Sequence, residues 1–395
     1  MMKLLKFDIA IILGLLALFS SYPYIFECLV SIPHVSVTGP IFMVVGLLIL
    51  MLTKNRRFLY HNVMVLWVCL QMVLWLLYFV IHSDSTYISR VFFVFYTLSI
   101  VLCLARRGQL LKFVKIHSWI MGIMAIGALL AFILVFAGIL QPLSYFSLQD
   151  GRFAASYGLT CTNSVFGNVI RTAGFFDEPG AFAFWGIYAL VFNRLFIKNR
   201  YLEYFLIIGL LTSLSAAYFV QLPLYVGLFY VLSKTTKNRL LYVLLIAISV
   251  ALLYNYSKED DIIARYTTER FENGEIQSKR VDYTENAKRV FLNSPIIGNG
   301  ANNVSKKGEL EDNPYEILAK DGILGFIIIY MPLFIPFILT KNKEILFATI
   351  ILFAGYLQRP FHINLMHFFH LYVFCLLSYQ VYGSKKINME VRKIR

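Results

Sequence analysis

The sequence has little charge. Only 15% of its 395 residues are Asp, Glu, Lys or Arg, while 59% are hydrophobic. A soluble domain carries about a quarter charged residues and about half apolar ones, so an ordinary soluble enzyme is excluded. Cysteine is also scarce, with 5 residues in the whole chain. None forms a C-x-x-C pair, which excludes the usual thiolate metal motifs. Cys28, Cys69, Cys103 and Cys375 fall within apolar runs or at their ends, and Cys161 alone sits in a loop. Structural thiols are therefore expected, without a disulfide framework. There is no internal repeat and no low-complexity tract, so the chain reads as a single membrane domain spanning 1–395.

What the sequence does have is long apolar runs. Runs of about 18 or more residues with few charges read as transmembrane helices, because lipid offers backbone N–H and C=O groups no partner outside the helix itself. The pattern predicts an all-α, polytopic integral membrane protein with about twelve transmembrane helices. They fall near residues 8–30, 37–53, 58–81, 91–105, 118–140, 178–197, 201–215, 217–233, 240–254, 322–339, 345–358 and 366–382. The seventh and eighth are separated only by "SLSAAYF", with no charge to mark the turn. The first run resembles a signal peptide but has no A-x-A-like cleavage site, so it is read as an uncleaved helix.

Lys and Arg gather on the cytoplasmic side of short loops. With Lys3 and Lys6 inside, every second loop is basic: Lys54 to Arg57, Arg106 to Lys115, Lys198 and Arg200, Lys234 to Arg239, and Lys341 and Lys343. Both termini are then cytoplasmic. The net charge of +14 follows largely from this asymmetry. No aromatic-basic module is present, so no nucleic acid is expected as a partner.

Two outward segments, 141–177 and 255–321, exceed the roughly 15 residues beyond which a loop is usually functional or disordered. Neither has the Ser, Pro and Gly bias of a linker. The second carries Val281, Ala287, Val290 and Phe291 at helical spacing, which predicts amphipathic helices on the membrane surface.

Charged residues cluster at the lips of these spans. In "RTAGFFDEPG", Pro179 suits a first helical turn and Asp177 or Glu178 the cap before it. That plain reading accounts for the acids but not for Arg171 and Gly174. In "SKRVDYTENAKRVFLNSPIIGNGANN", Arg280, Lys288 and Arg289 punctuate a surface helix, which by itself reads as a headgroup-contacting face. In "GELEDNPYEILAKDGILG", Glu309, Glu311, Asp312, Glu316 and Asp321 read as a solvated acidic loop leading into a helix through Gly322 and Gly325. In "YLQRPFHINLMHFFH", Arg359 and His362 flank Pro360 at the bilayer edge, where charges are costly and often mark a ligand. On the predicted topology Arg171, Arg280 and Arg359 share the outer side. Arginine pairs bidentately with phosphate oxygens, so the three suit a lipid-linked diphosphate whose tail lies between spans.

These motifs, "RTAGFFDEPGAFAF", "SKR" with "NSPIIGNG", and "NPYEILAKDGILG", resemble the bacterial O-antigen polymerase (Wzy) family within the O-antigen ligase/polymerase superfamily. The resemblance implies a GT-C-type fold with two large extracytoplasmic loops in the bacterial inner membrane. It implies a glycosyltransferase that joins oligosaccharide repeat units carried on undecaprenyl diphosphate, alongside membrane lipids and a chain-length regulator protein. Arg171 and Arg280 match family motif arginines and would bind the donor diphosphate, with Arg359 beside them. The ligase branch carries His-Asn where this chain has Glu311 and Asp312.

The chemistry can be derived separately. A diphosphate is already a good leaving group and needs charge stabilisation, which fixed arginines supply. The acceptor hydroxyl needs a base within hydrogen-bond reach, for which Glu178, Asp312 and Glu311 are the candidates. A single displacement inverts the anomeric centre. No cofactor and no metal is expected, since the acidic cluster Glu259 to Asp261 has no second set of ligands. The rivals are an O-antigen ligase, favoured less by the acidic "DEPG", and a lipid-oligosaccharide flippase, which would show internal repeats and midplane ionisable groups.

Overall fold

The fold was analysed from a computed structural model. It describes residues 11, 12, 14, 15, 60–147, 153–166, 169–176, 178–232, 279–305, 313, 315–358 and 365–383. Of the expected spans, 37–53, 240–254 and most of 8–30 lie outside these residues.

The described part is mostly helical. Helix α1 (Asn62–His82) starts on His61, whose ring accepts from the Val63 N–H, and stops at Ser83 in the left-handed region. Helices α2 (Thr86–Arg106) and α3 (Leu110–Phe136) follow, joined through Gly108 at φ 67°. Helix α4 (Pro179–Phe192) continues as a π-turn to Ile197. Helices α5 (Arg200–Leu211) and α6 (Ala216–Val226) are short. Next come α7 (Lys279–Asn293), α8 (Ala301–Ser305), α9 (Glu316–Thr340), α10 (Lys343–Gln358) and α11 (Leu365–Ser378). Among the described residues, five helices are long and apolar enough to cross a membrane: α1, α2, α3, α4 with its π-turn, and α9. The span expected at 178–197 therefore appears close to its predicted bounds, the one at 322–339 ends close to its own but begins earlier, at Glu316, and the one at 91–105 begins earlier, at Thr86.

Every residue of α4 is buried, so it is the central helix of the described bundle. Small residues let its neighbours approach closely, as membrane helices require when lipid supplies no hydrophobic drive between them. Gly209 of α5 lies on Ala125 of α3, and Gly122 of α3 lies under Leu202. A Cβ on Gly209 would stand 2.3 Å from the Ala125 carbonyl oxygen. Hydrogen bonds tie the centre together. The hydroxyls of Tyr188 and Tyr356 are 2.7 Å apart, and His367 Nδ1 lies 2.6 Å from the Tyr356 hydroxyl. This chain links α4, α10 and α11 where no water competes for the donors.

The segment 141–177, expected to face outward, contains short strands, an addition to the all-helical class the sequence predicts. Strands β1 (Ser144–Ser147), β2 (Phe153–Ser156) and β3 (Cys161–Thr162) form an antiparallel sheet in that order. Strands β4 (Val165–Phe166) and β5 (Val169–Ile170) form a second pair. Cys161 is disulfide-bonded, whereas Cys69, Cys103 and Cys375 are thiols. That corrects the expectation of thiols throughout: cysteine spacing along the chain says nothing about which sulfurs meet in space.

Helix α7 is where the apolar spacing placed it, but protein covers much of its apolar stripe. Ala287 is buried against Val304 and Ala319, with Val290, Phe291 and Tyr315 around them. Leu292 and Ile296 remain exposed.

Candidate functional site

The site begins with a break in α9. Gly322 takes φ 65°, ψ −171° inside the helix, so the intrahelical ladder fails there. A broken ladder leaves N–H and C=O groups that must find other partners. The segment after α7 supplies them. The Ile323 N–H donates to Pro295 O at 2.9 Å and the Leu324 N–H to Ile296 O at 3.1 Å. In return Asn299 N–H donates to Ala319 O at 3.1 Å and Gly300 N–H to Lys320 O at 3.0 Å. The Asn299 side chain adds a bond to Ala319 O and another, at 2.8 Å, to Val290 O. "NSPIIGNG" and "AKDGILG" are thus one interlocked unit.

Two glycines make that approach feasible. Gly298 (φ 73°) and Gly322 both occupy the left-handed region. A Cβ on Gly298 would fall 2.3 Å from Lys320 O, and one on Gly322 would fall 2.4 Å from Ile296 O.

The α1–α2 turn grips this unit from the other side. Arg90 and Asp321 form an ion pair of 2.8 Å whose side chains are 1% and 0% exposed. The Arg90 guanidinium lies against both Trp75, 4.8 Å from the ring centroid, and Tyr87, at 4.5 Å. The Tyr87 hydroxyl donates to Asp321 Oδ1 at 2.8 Å, and the Tyr78 hydroxyl donates to the Asp321 backbone oxygen at 2.7 Å. A buried carboxylate needs such a set of donors to offset its lost hydration.

Asp84 makes the second grip. Its oxygens accept from the Asn302 N–H at 2.7 Å, from the Asn302 side-chain amide at 2.6 Å, and from the Thr86 N–H at 3.0 Å and hydroxyl. Burial pushes this carboxyl up. The bonds from Thr86 and Asn302, helped by the Arg90 charge, outweigh it and hold Asp84 below its ordinary range.

The residues singled out from sequence are placed as follows. Arg171 follows β5 and is half-buried; its N–H donates to Ser164 O at 3.1 Å and its carbonyl accepts from Thr162 at 2.5 Å. The next residue, Thr172, ties this loop to the α5–α6 turn through a 2.7 Å contact between its hydroxyl and that of Thr212. Gly174 turns at φ 57° with Phe182 packed beneath it, which explains the glycine in "RTAG". Glu178 occupies the N-cap of α4 with Pro179 as the first helical residue, as expected, but its side chain does not cap a helix N–H. Arg280 lies in the first turn of α7. Glu311, Asp312 and Arg359 lie outside the described residues, as do Asp177, His362 and the cluster Glu259 to Asp261.

Sequence reasoning placed Asp321 in a solvated acidic loop, and the structure corrects this: it is fully buried and ion-paired. Asp84 and Arg90 were missed. Arg90 carried a signal, since an arginine at the edge of an apolar span needs a partner. Of the described acids in "NPYEILAKDG", Glu316 pairs with Lys320 one turn on, at 2.5 Å, leaving Asp321 to Arg90.

Comparison with protein-family models, with curated proteins and with solved structures finds no match for this chain. The functional reading therefore rests on its own residues.

Chemically, the arrangement separates two kinds of arginine. Arg90 is buried and ion-paired to Asp321 through Nη1, while its Nε and Nη2 have no hydrogen-bond partner among the described residues. Arg171 is on a loop fastened by Thr162 and Thr212, and Arg280 is on a helix fastened through Asn299 and Asn302. Arg171 thus follows a short strand pair, and Arg280 stands in the first turn of α7.

Proposed function

We propose that this chain is a lipid-dependent glycosyltransferase of the O-antigen polymerase type. It joins undecaprenyl-diphosphate-linked oligosaccharide repeat units at the outer face of the bacterial inner membrane. The proposed architecture has about twelve spans in a GT-C-type arrangement, with both termini cytoplasmic. Arg171, Arg280 and Arg359 neutralise the departing diphosphate. A carboxylate among Glu178, Glu311 and Asp312 takes the acceptor proton. No cofactor enters this scheme, and a chain-length regulator is its proposed protein partner.

The observation that supports the reading is the interlock of "NSPIIGNG" with "AKDGILG". Two stretches that carry the family resemblance from separate parts of the sequence close on each other through backbone hydrogen bonds. A site built to hold a flexible lipid-linked sugar needs such a rigid support. The disulfide at Cys161 agrees with the segment's outward assignment, since disulfides persist in oxidising compartments.

The test is direct. Purified protein is incubated with defined lipid-linked repeat units, and a ladder of longer products is the expected result. Unchanged repeat units would remove the polymerase reading. In cells, deletion should abolish polymer while single repeat units remain on the lipid A core. Loss of those single units as well would instead indicate a ligase.

A further inference from the structure

The α1–α2 turn belongs to none of the motifs that support the proposed reaction, yet it holds the structure that carries one of them. Helix α8 has 5 residues, too few for a helix to be stable alone. Helix α7 packs on the bundle through a small apolar cluster around Ala287, Val304 and Ala319. Ile297 and Ala301 add contacts with the main core, and the 295–300 backbone is bonded to the break in α9. Two further polar clasps reinforce that interlock, one from the α1–α2 turn and one from the first turns of α2. Asp84 takes the Asn302 N–H and side chain at the rim, and Arg90 takes Asp321 beneath it.

We infer that Asp84 and Arg90 are positioning residues that fasten segment 279–305, and with it Arg280, to the transmembrane bundle. The inference rests on the proposed glycosyl transfer for its catalytic meaning, though the clasp itself is a matter of geometry. Neither residue touches substrate. Asp84 sets the position of α8, and Arg90 sets the first turn of α9, to which the "NSPIIGNG" backbone is bonded. Loosening either should lower the affinity for the lipid-linked donor more than the rate of the chemical step.

The experiment uses the full-length protein in detergent or nanodiscs. Asp84→Asn keeps the side-chain shape but leaves one acceptor oxygen where the carboxylate had two. Arg90→Lys keeps the charge but loses the planar face that stacks on Trp75 and Tyr87. Hydrogen–deuterium exchange across 299–305 should rise by about tenfold or more in each, the loss of a charge-assisted hydrogen bond. Exchange in α3 and α5 should not change. With lipid-linked repeat units as substrate, KM should rise several-fold with kcat nearly kept. Unchanged exchange in both variants overturns the inference whatever the reaction. Faster exchange with KM and kcat both unchanged overturns the positioning role. If the unmodified protein makes no polymer while exchange rises in the variants, the polymerase reading fails and the clasp is confirmed as a docking device.

Discussion

Arg90 and Asp321 stand 231 positions apart in the chain and 2.8 Å apart in the fold, in a place that water does not reach. Helix α2 and the broken start of α9 are thereby joined at their ends. Removing one partner leaves a buried charge unpaired. Arg90→Met or Asp321→Leu alone should therefore cost about 3–5 kcal/mol. The double variant should recover most of that loss. Thermal unfolding in detergent, followed across the single and double variants, checks this. Additive losses would mean that the pair is not coupled.

Gly298 and Gly322 touch each other's strands of backbone at distances no Cβ tolerates. Gly322→Ala adds both a clash and the strain of a backbone conformation that is essentially glycine-only, about 1–3 kcal/mol. It should free the N–H groups of Ile323 and Leu324, read as faster exchange at those amides. A neutral effect would show that the α9 break is not built around this contact.

The Asp84 clasp should depend on pH in one direction. The folded protein holds this carboxyl below its ordinary value of about 3.9. Folding therefore favours the charged form, and its stabilisation is fully present above the ordinary value. It is lost as pH falls through the lowered, folded value. The groups that act on this carboxylate are Thr86, Asn302, Arg90 and Tyr87. Proteolysis across 299–305 should accelerate only in strong acid, and Asp84→Asn should abolish that dependence. Acceleration near neutral pH would point to another group.

For the proposed reaction, Arg171→Ala and Arg280→Ala should leave protein levels normal and abolish polymer, as judged by surface polysaccharide gels. Normal polymer in either variant removes that arginine from the donor site. The Arg171 backbone is held by Thr162 and Ser164, so Arg171→Lys, which keeps the charge, separates loss of the guanidinium from loss of the loop.

Tyr356→Phe deletes the hydroxyl shared by Tyr188 and His367. It should cost about 1–3 kcal/mol, because two buried groups lose a partner at once. The same thermal assay reads it, and no loss would indicate that water replaces the hydroxyl.

Much of the helical frame was legible in the sequence. Hydropathy located α4 and the end of α9 closely, because a span must be apolar along its whole length and its ends must meet polar residues. Proline and glycine marked local events well. Pro179 starts α4, and Gly298 and Gly300 turn the chain after α7. Short strands were not legible in 141–177, since two- to four-residue runs carry no readable period. Asp321 was misread for a related reason: a carboxylate among other carboxylates looks solvated until its partner is known.

By itself, then, the sequence determined that this chain is built of long apolar helices suited to a membrane and where several of them run. Those follow from local composition, because lipid judges each segment one at a time. Tertiary structure alone decided which motifs meet. It set "NSPIIGNG" into the break at Gly322, gave Asp321 to Arg90, and tied Asn302 to Asp84. Such pairings depend on which helix ends come together, and charges far apart in the chain carry no mark of the partner that will neutralise them.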